Sequence, residues 1–241
     1  MKYLDHAILY FINGFALKSW TFDKMIMLFE RNRLTKGGVI IAIYWYLWFS
    51  KKEEVNILQH RKTILASLIG TNVGVLIAVV LAIILPFQMR PLHNPDLNLL
   101  NPYGFTHILK DENSFPSETA ALAGGLTMGI LLISQKIGLL VILYSLFIVI
   151  IPRIYLGLHY PSDIFGGMII AILTVMVANV QVVKNFLTNK LLEWSEKYTK
   201  IFYGLFFILT YQMGNIFLDV REIGIFSMMI MKKIAYRIFY F

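Results

Sequence analysis

Long apolar runs, broken by short polar or proline-bearing connections, set the pattern of this chain. Thr63–Pro86, Pro116–Ser134, Ile137–Leu158, Ser162–Val183 and Ile201–Leu218 each approach the ~20 apolar residues that a helix needs to cross a bilayer. Gly37–Ser50 is shorter, but gains length by recruiting Leu34–Lys36 with the lysine snorkelling. Its Tyr44, Trp45, Tyr46 and Trp48 suit a headgroup boundary. Leu4–Phe29 is interrupted by Asn13, Lys18 and Asp23, so it either spans or lies in the interface. Among the connections, Lys51–Lys62 reads as a polar turn, Gln135–Lys136 as a very tight one, and Lys184–Lys200 as a mixed-charge amphipathic segment. Phe87–Phe115 is long, and Pro91, Pro95, Pro102 and Gly104 exclude a continuous helix there. Connections of that length tend to carry function. The tail, with Lys232, Lys233 and Arg237 among aromatics, suits an interfacial anchor. The pattern predicts an all-α fold. It is a polytopic membrane helical bundle of about six core transmembrane helices plus a C-terminal helical extension, forming one integral membrane domain over residues 1–241.

Composition supports this. Of 241 residues 58% are hydrophobic and 15% charged, with a mean hydropathy of +0.67, whereas soluble domains carry roughly 25% charged residues. The net charge of +8 is dispersed among the connections, which suits membrane orientation and anionic lipid headgroups rather than a nucleic-acid partner. The chain has no cysteine, hence no disulfide and no thiolate metal site. Lys2 is followed by Asp5 and His6, which makes a poor cleavable signal peptide. Lysine and arginine in the short turns assign Lys51–Lys62, Lys136 and Lys184–Lys200 to the cytoplasm. The long connection and the stretch Ile151–Gly167 then face outward. Arg31, Arg33 and Lys36 would also be outside, against the rule.

Ile151–Gly167, reading IPRIYLGLHYPSDIFGG, holds Arg153, His159 and Asp163 between two apolar runs, where ionisable groups are costly and usually functional. A histidine can serve as nucleophile with a carboxylate fixing its tautomer. A polar interhelical loop with one solvated histidine is the plainer alternative. By counting spans, Arg90–Pro91 and Ser114-Phe-Pro-Ser-Glu-Thr119 fall on the same membrane face as this stretch.

Together these segments resemble the signature of the type-2 phosphatidic acid phosphatase family of membrane lipid phosphatases: K-(x)6-R-P, then P-S-G-H, then S-R-(x)5-H-(x)3-D. The resemblance covers Thr63–Val183, a phosphatase-like core, and leaves Lys184–Phe241 as an extension. Its third motif is the most specific: Pro152-Arg153, five residues, His159, three residues, Asp163, without the leading serine. The wording around it is similar to bacterial undecaprenyl-diphosphate phosphatases. The resemblance implies that His159 and Asp163 are catalytic, with His159 forming a phosphohistidine that water hydrolyses. It implies that Arg90, Ser117 and Arg153 bind phosphate. It needs no metal and no cofactor, and its substrate is a lipid phosphate or diphosphate among membrane lipids, with the site at the outer face of a bacterial plasma membrane. Taken singly, Arg90 could be an interface anchor, Ser114 or Ser117 a helix N-cap, and Gly166 and Gly167 packing residues. His6, His60, His93 and His107 match no motif and read as loop or interface residues.

Two positions depart from the family. Ile83 stands where its first lysine falls, with Lys110 as a candidate replacement, and Glu118-Thr119 replaces glycine-histidine. The missing histidine is the implied general acid, a group worth about 10²–10⁴ in rate; Glu118 and Thr119 are the candidates for an auxiliary role there. A diphosphate loses a phosphate leaving group with a second pKa near ~6, so it departs with little protonation. The expectation is a lipid diphosphatase, with phosphotransfer on the same scaffold or a non-catalytic phospholipid binder or transporter as alternatives.

Overall fold

The computed structural model describes residues 2–50, 54–106 and 113–239. Among these it is all helix and connection, with no strand. Helices α1 (Lys2–Asn13) and α2 (Trp20–Arg31) precede a π-helical turn, Leu34–Gly38, that runs into α3 (Val39–Phe49). Then come α4 (Glu54–Ile84), α5 (Glu118–Ile133) and α6 (Gln135–Tyr144). A second π turn, Ser145–Ile150, joins α6 to α7 (Ile151–Tyr155), and α8 (Pro161–Ala178), α9 (Gln181–Lys197), α10 (Thr199–Gly214) and α11 (Leu218–Phe239) follow.

The apolar runs become helices as their pattern requires, and α4, α5 and α8 pack mutually at the centre. Among the described residues three helices are long and apolar enough to cross a membrane: Ile57–Ile84, Gln135–Tyr155 and Pro161–Ala178. Only 39%, 33% and 33% of their apolar windows are buried within the protein, so most of that surface faces outward, far more than a soluble monomer exposes. Leu34–Phe49 and Glu118–Ile133 are apolar but shorter, and α10 forms with Leu218–Met229 a pair bent by 94°. Ile216 and Phe217, both at positive φ, make that bend. The chain is thus a multi-pass helical membrane bundle.

Several sequence expectations are corrected. Leu4–Phe29 is neither one spanning helix nor one interfacial helix, because it divides into α1 and α2 of 12 residues each. The Ser19 hydroxyl caps α2 by accepting from Phe22 N at 3.3 Å. The polar residues that interrupt the run are internal ties. Asn13 donates to the Leu100 and Tyr155 carbonyls at 2.9 and 3.0 Å and accepts from Leu100 N at 2.8 Å. The Asp23 carboxylate accepts from Tyr103 N at 2.8 Å and from the Tyr155 hydroxyl. Asp5 receives both the backbone N–H and the hydroxyl of Ser162 at 2.8 Å, fastening α1 to the start of α8. The polar turn expected over Lys51–Lys62 is already helical from Glu54, since nothing in 54–62 is Gly or Pro, and Arg61 stacks 5.1 Å from the Trp48 ring. Tyr44 and Trp48 line no headgroup boundary. Both are buried, Tyr44 donating to Leu126 O at 2.9 Å and Trp48 packing 5.0 Å from Phe206, because α10 covers that face of α3. The run Ser162–Val183 ends as a helix at Ala178, and α9 begins at Gln181.

Gly167 brings α8 against the start of α5: a Cβ there would stand 2.3 Å from Ser117 O. At Gly204 on α10 nothing lies within 4 Å. Gly167→Ala should therefore lose about 1–3 kcal/mol of stability, seen as a lower unfolding midpoint in detergent. Gly204→Ala should be neutral or gain up to ~1 kcal/mol from helix propensity.

Candidate active site

Pro161 opens α8 at its first turn, and Asp163, two positions on, turns its carboxylate back to accept from Tyr160 N at 2.8 Å, as an N-terminal acidic residue favours. The same carboxylate, wholly buried, accepts from the Ser114 hydroxyl at 2.5 Å and from Gln88 Nε2 at 3.1 Å. Its backbone carbonyl accepts from Ser117 N at 3.0 Å. These bonds draw the end of the long connection and the start of α5 onto the start of α8.

His159 precedes α8 on a turn that Gly157 makes at φ +65°, where Leu92 N donates to the Gly157 carbonyl at 2.8 Å. Its imidazole is 4% exposed. Nδ1 lies 2.9 Å from the Ser114 carbonyl and 3.8 Å from Asp163 Oδ2. A carbonyl only accepts, so Nδ1 carries the proton and Nε2 holds the lone pair. Asp163 thus acts on the ring both as a close carboxylate and, through its bond to the Ser114 hydroxyl, by placing the carbonyl that accepts from Nδ1. Nε2 faces Arg90 Nη1 at 3.3 Å, and the same guanidinium donates to Leu158 O at 3.2 Å.

His159 shares the lining of a cavity of about 500 Å³ with Arg90, Arg153, Thr119, Lys36 and Glu30, with Val79, Ile83 and Ile216 on its apolar side. Arg90 is buried rather than snorkelling at an interface. Arg153 Nη2 lies 3.7 Å from Glu30 Oε1, while its Nε and Nη1 are buried with no hydrogen-bond partner among the described residues. Buried donors left this way are expensive and often await a ligand. Ser117 sits beside this cavity rather than in its lining. Its hydroxyl accepts from Ala120 N at 3.4 Å as the N-cap of α5. Glu118 lines the cavity but is ion-paired with Arg221 of α11. Lys110 and His107 lie outside the described residues. His6 stacks on Tyr160 with ring centroids 6.2 Å apart. No cluster of metal-ligating side chains occurs among the described residues.

Sequence reasoning missed Lys36 and Glu30, joined at 3.1 Å. One signal pointed to Lys36: it belonged to the cationic group that broke the orientation rule.

Burial pushes the His159 imidazole down to about 4; Asp163 acts in the opposite direction, and Arg153 and Arg90 add to the lowering. The neutral ring, the form with a free lone pair, is the resting one.

Fold and site together define a membrane-embedded enzyme-like pocket in which a neutral imidazole meets guanidinium groups. The chain belongs to the PAP2 superfamily, which matches residues 62–187. It is also similar to the undecaprenyl-diphosphatase BcrC of Bacillus subtilis (strain 168), 22% identical over 170 residues that cover 70% of this chain and 80% of that protein. No solved structure matches it.

His159 should stay neutral at pH 5.5, where an ordinary imidazole of pKa ~6.5 is mostly protonated. Histidine 15N resonances of the labelled, detergent-solubilised protein, assigned with His159→Gln, check this. Because the folded form holds fewer protons than the unfolded chain between the two pKa values, this group should also make stability fall as pH drops from about 6.5 toward 4.

Proposed function

We propose that this protein is an integral membrane lipid phosphatase that removes the terminal phosphate of a polyprenyl diphosphate such as undecaprenyl diphosphate. The observation that carries the reading is the neutral His159 ring, with Arg90 Nη1 3.3 Å from its Nε2 and Arg90 and Arg153 lining the same cavity. Membership of the PAP2 superfamily and similarity to an undecaprenyl-diphosphatase support it.

In this reading Nε2 attacks the terminal phosphorus as the bridging P–O bond breaks, and that bond's electrons leave with the lipid monophosphate. Arg90 turns from the imidazole to the phosphoryl oxygens, and Arg153 directs its unpartnered N–H groups at them, charge-assisted bonds being the strong kind. Nδ1–H stays on the Ser114 carbonyl, and Asp163, holding the Ser114 hydroxyl, steadies the cationic phosphoimidazole. Water then attacks phosphorus, the P–N bond breaks, and inorganic phosphate leaves with the water's proton passing to solvent. Ser117 serves by fixing the start of α5 beside the phosphate site. Thr119 lines the cavity where a general acid would stand and cannot protonate an alkoxide; a phosphate leaving group makes that proton dispensable.

The site faces the outside of the plasma membrane in this reading. The lysine-bearing ends support it: Lys62 and Asn185 meet at 3.1 Å at the end of α4 remote from Arg90, and cytoplasmic ends are the basic ones.

Phosphate release by the purified protein tests the proposal. Wild type should act on undecaprenyl diphosphate faster than on phosphatidic acid, and His159→Ala should fall by a factor on the order of 10³ or more. Full activity in His159→Ala, or a faster reaction with phosphatidic acid, would overturn it.

A further inference from the structure

Lys36 lies outside the stretch that matches the superfamily, yet its side chain lines the cavity of His159 and is only 10% exposed. The π turn Leu34–Gly38 turns it inward, and π turns mark functional positions more often than regular helix does. Against this turn packs the second one, Ser145–Ile150, which leads directly into Arg153; the Tyr144 hydroxyl donates to Thr35 O at 2.5 Å between them. Two irregular turns thus bring Lys36 and Arg153 to one carboxylate, Glu30 Oε1, at 3.1 and 3.7 Å.

A structural ion pair is the plain explanation, and its charges do not balance. One carboxylate serves two buried cations, while Glu30 Oε2 and Arg153 Nε and Nη1 are buried without hydrogen-bond partners among the described residues. The other described carboxylate of the cavity, Glu118, is already paired with Arg221. Buried excess charge is costly unless an opposite charge arrives, and the ammonium has donors to spare beyond the one Glu30 engages.

We propose that Lys36, with Arg153, forms a second phosphate subsite that takes the leaving phosphate of a lipid diphosphate, with Glu30 as the resident counter-ion that the substrate displaces. The inference rests on the lipid phosphatase reading and extends it to substrate choice. As the bridging P–O bond breaks, negative charge collects on the departing phosphate, and the Lys36 ammonium meets it. Thr119 shares both this cavity and a small adjoining void with Lys36, so neutralisation by a cation takes the place of a proton donor there. A monoester has no second phosphate to offer and gains nothing from Lys36, which makes this lysine a specificity-determining residue.

Calorimetric titration of the full-length, detergent-solubilised protein with inorganic diphosphate and inorganic phosphate tests this without turnover. Lys36→Gln should weaken diphosphate binding about tenfold or more, the scale of one charged hydrogen bond, and leave phosphate binding nearly unchanged. Lys36→Arg should keep most of the diphosphate preference. Glu30→Gln, which removes the competing carboxylate, should bind diphosphate more tightly than wild type. Equal weakening of both anions by Lys36→Gln, no weakening of either, or unchanged or weaker diphosphate binding by Glu30→Gln overturns the proposal. Lys36-dependent diphosphate binding in a wild type that releases no phosphate from undecaprenyl diphosphate would refute the phosphatase reading while the subsite stands.

Discussion

The Asp163 carboxylate is the constraint on which the active end of the molecule depends. A charge with no exposure to water is tolerable only when its lone pairs are filled by donors, and here Ser114, Tyr160 and Gln88 fill them. Those donors come from the two ends of the long connection and from the approach to α8, and the carboxylate gathers them at one point. Satisfying one buried ion therefore sets where the Ser114 carbonyl lies, and that carbonyl sets the tautomer of His159. The histidine and carboxylate that lie close in sequence are close in space as well, and the Ser114 segment completes the pair by accepting from Nδ1.

What could be read in the sequence follows from periodicity and spacing. Apolar length marks α4, α5, the α6–α7 run and α8, because hydrocarbon demands it of each segment separately. Arg153, His159 and Asp163 share a neighbourhood because they are close in the chain, and Arg90 joins them because its position just beyond the C-terminal end of α4 is a matter of counting spans. Roles that depend on tertiary contacts were not legible. Ser114 and Ser117 look alike in sequence, yet one holds the carboxylate and the other caps a helix. Asn13 and Asp23 read as blemishes in an apolar run because Tyr155, Leu100 and Tyr103, which they bind, are 80 or more residues away. Tyr44 and Trp48 read as boundary aromatics because α5 and α10, far along the chain, make them interior.

Lys36 shows how a functional charge can distort a topological argument. The positive-inside rule treats each lysine near a span as a label for the cytoplasm, and holds where the ammonium group is solvated. Lys36 and Glu30 are both shielded and paired, so the lysine reports on a pocket instead of a membrane face. Ile83 is 77% exposed and contributes apolar surface to the same cavity.

The ties made by α1 have a consequence for biosynthesis. Asp5 is fastened to Ser162, 157 residues later, and Asn13 to Tyr155, 142 residues later. Asn13 also reaches Leu100, 87 residues later, so α1 completes its ties only once the chain through the start of α8 has been made.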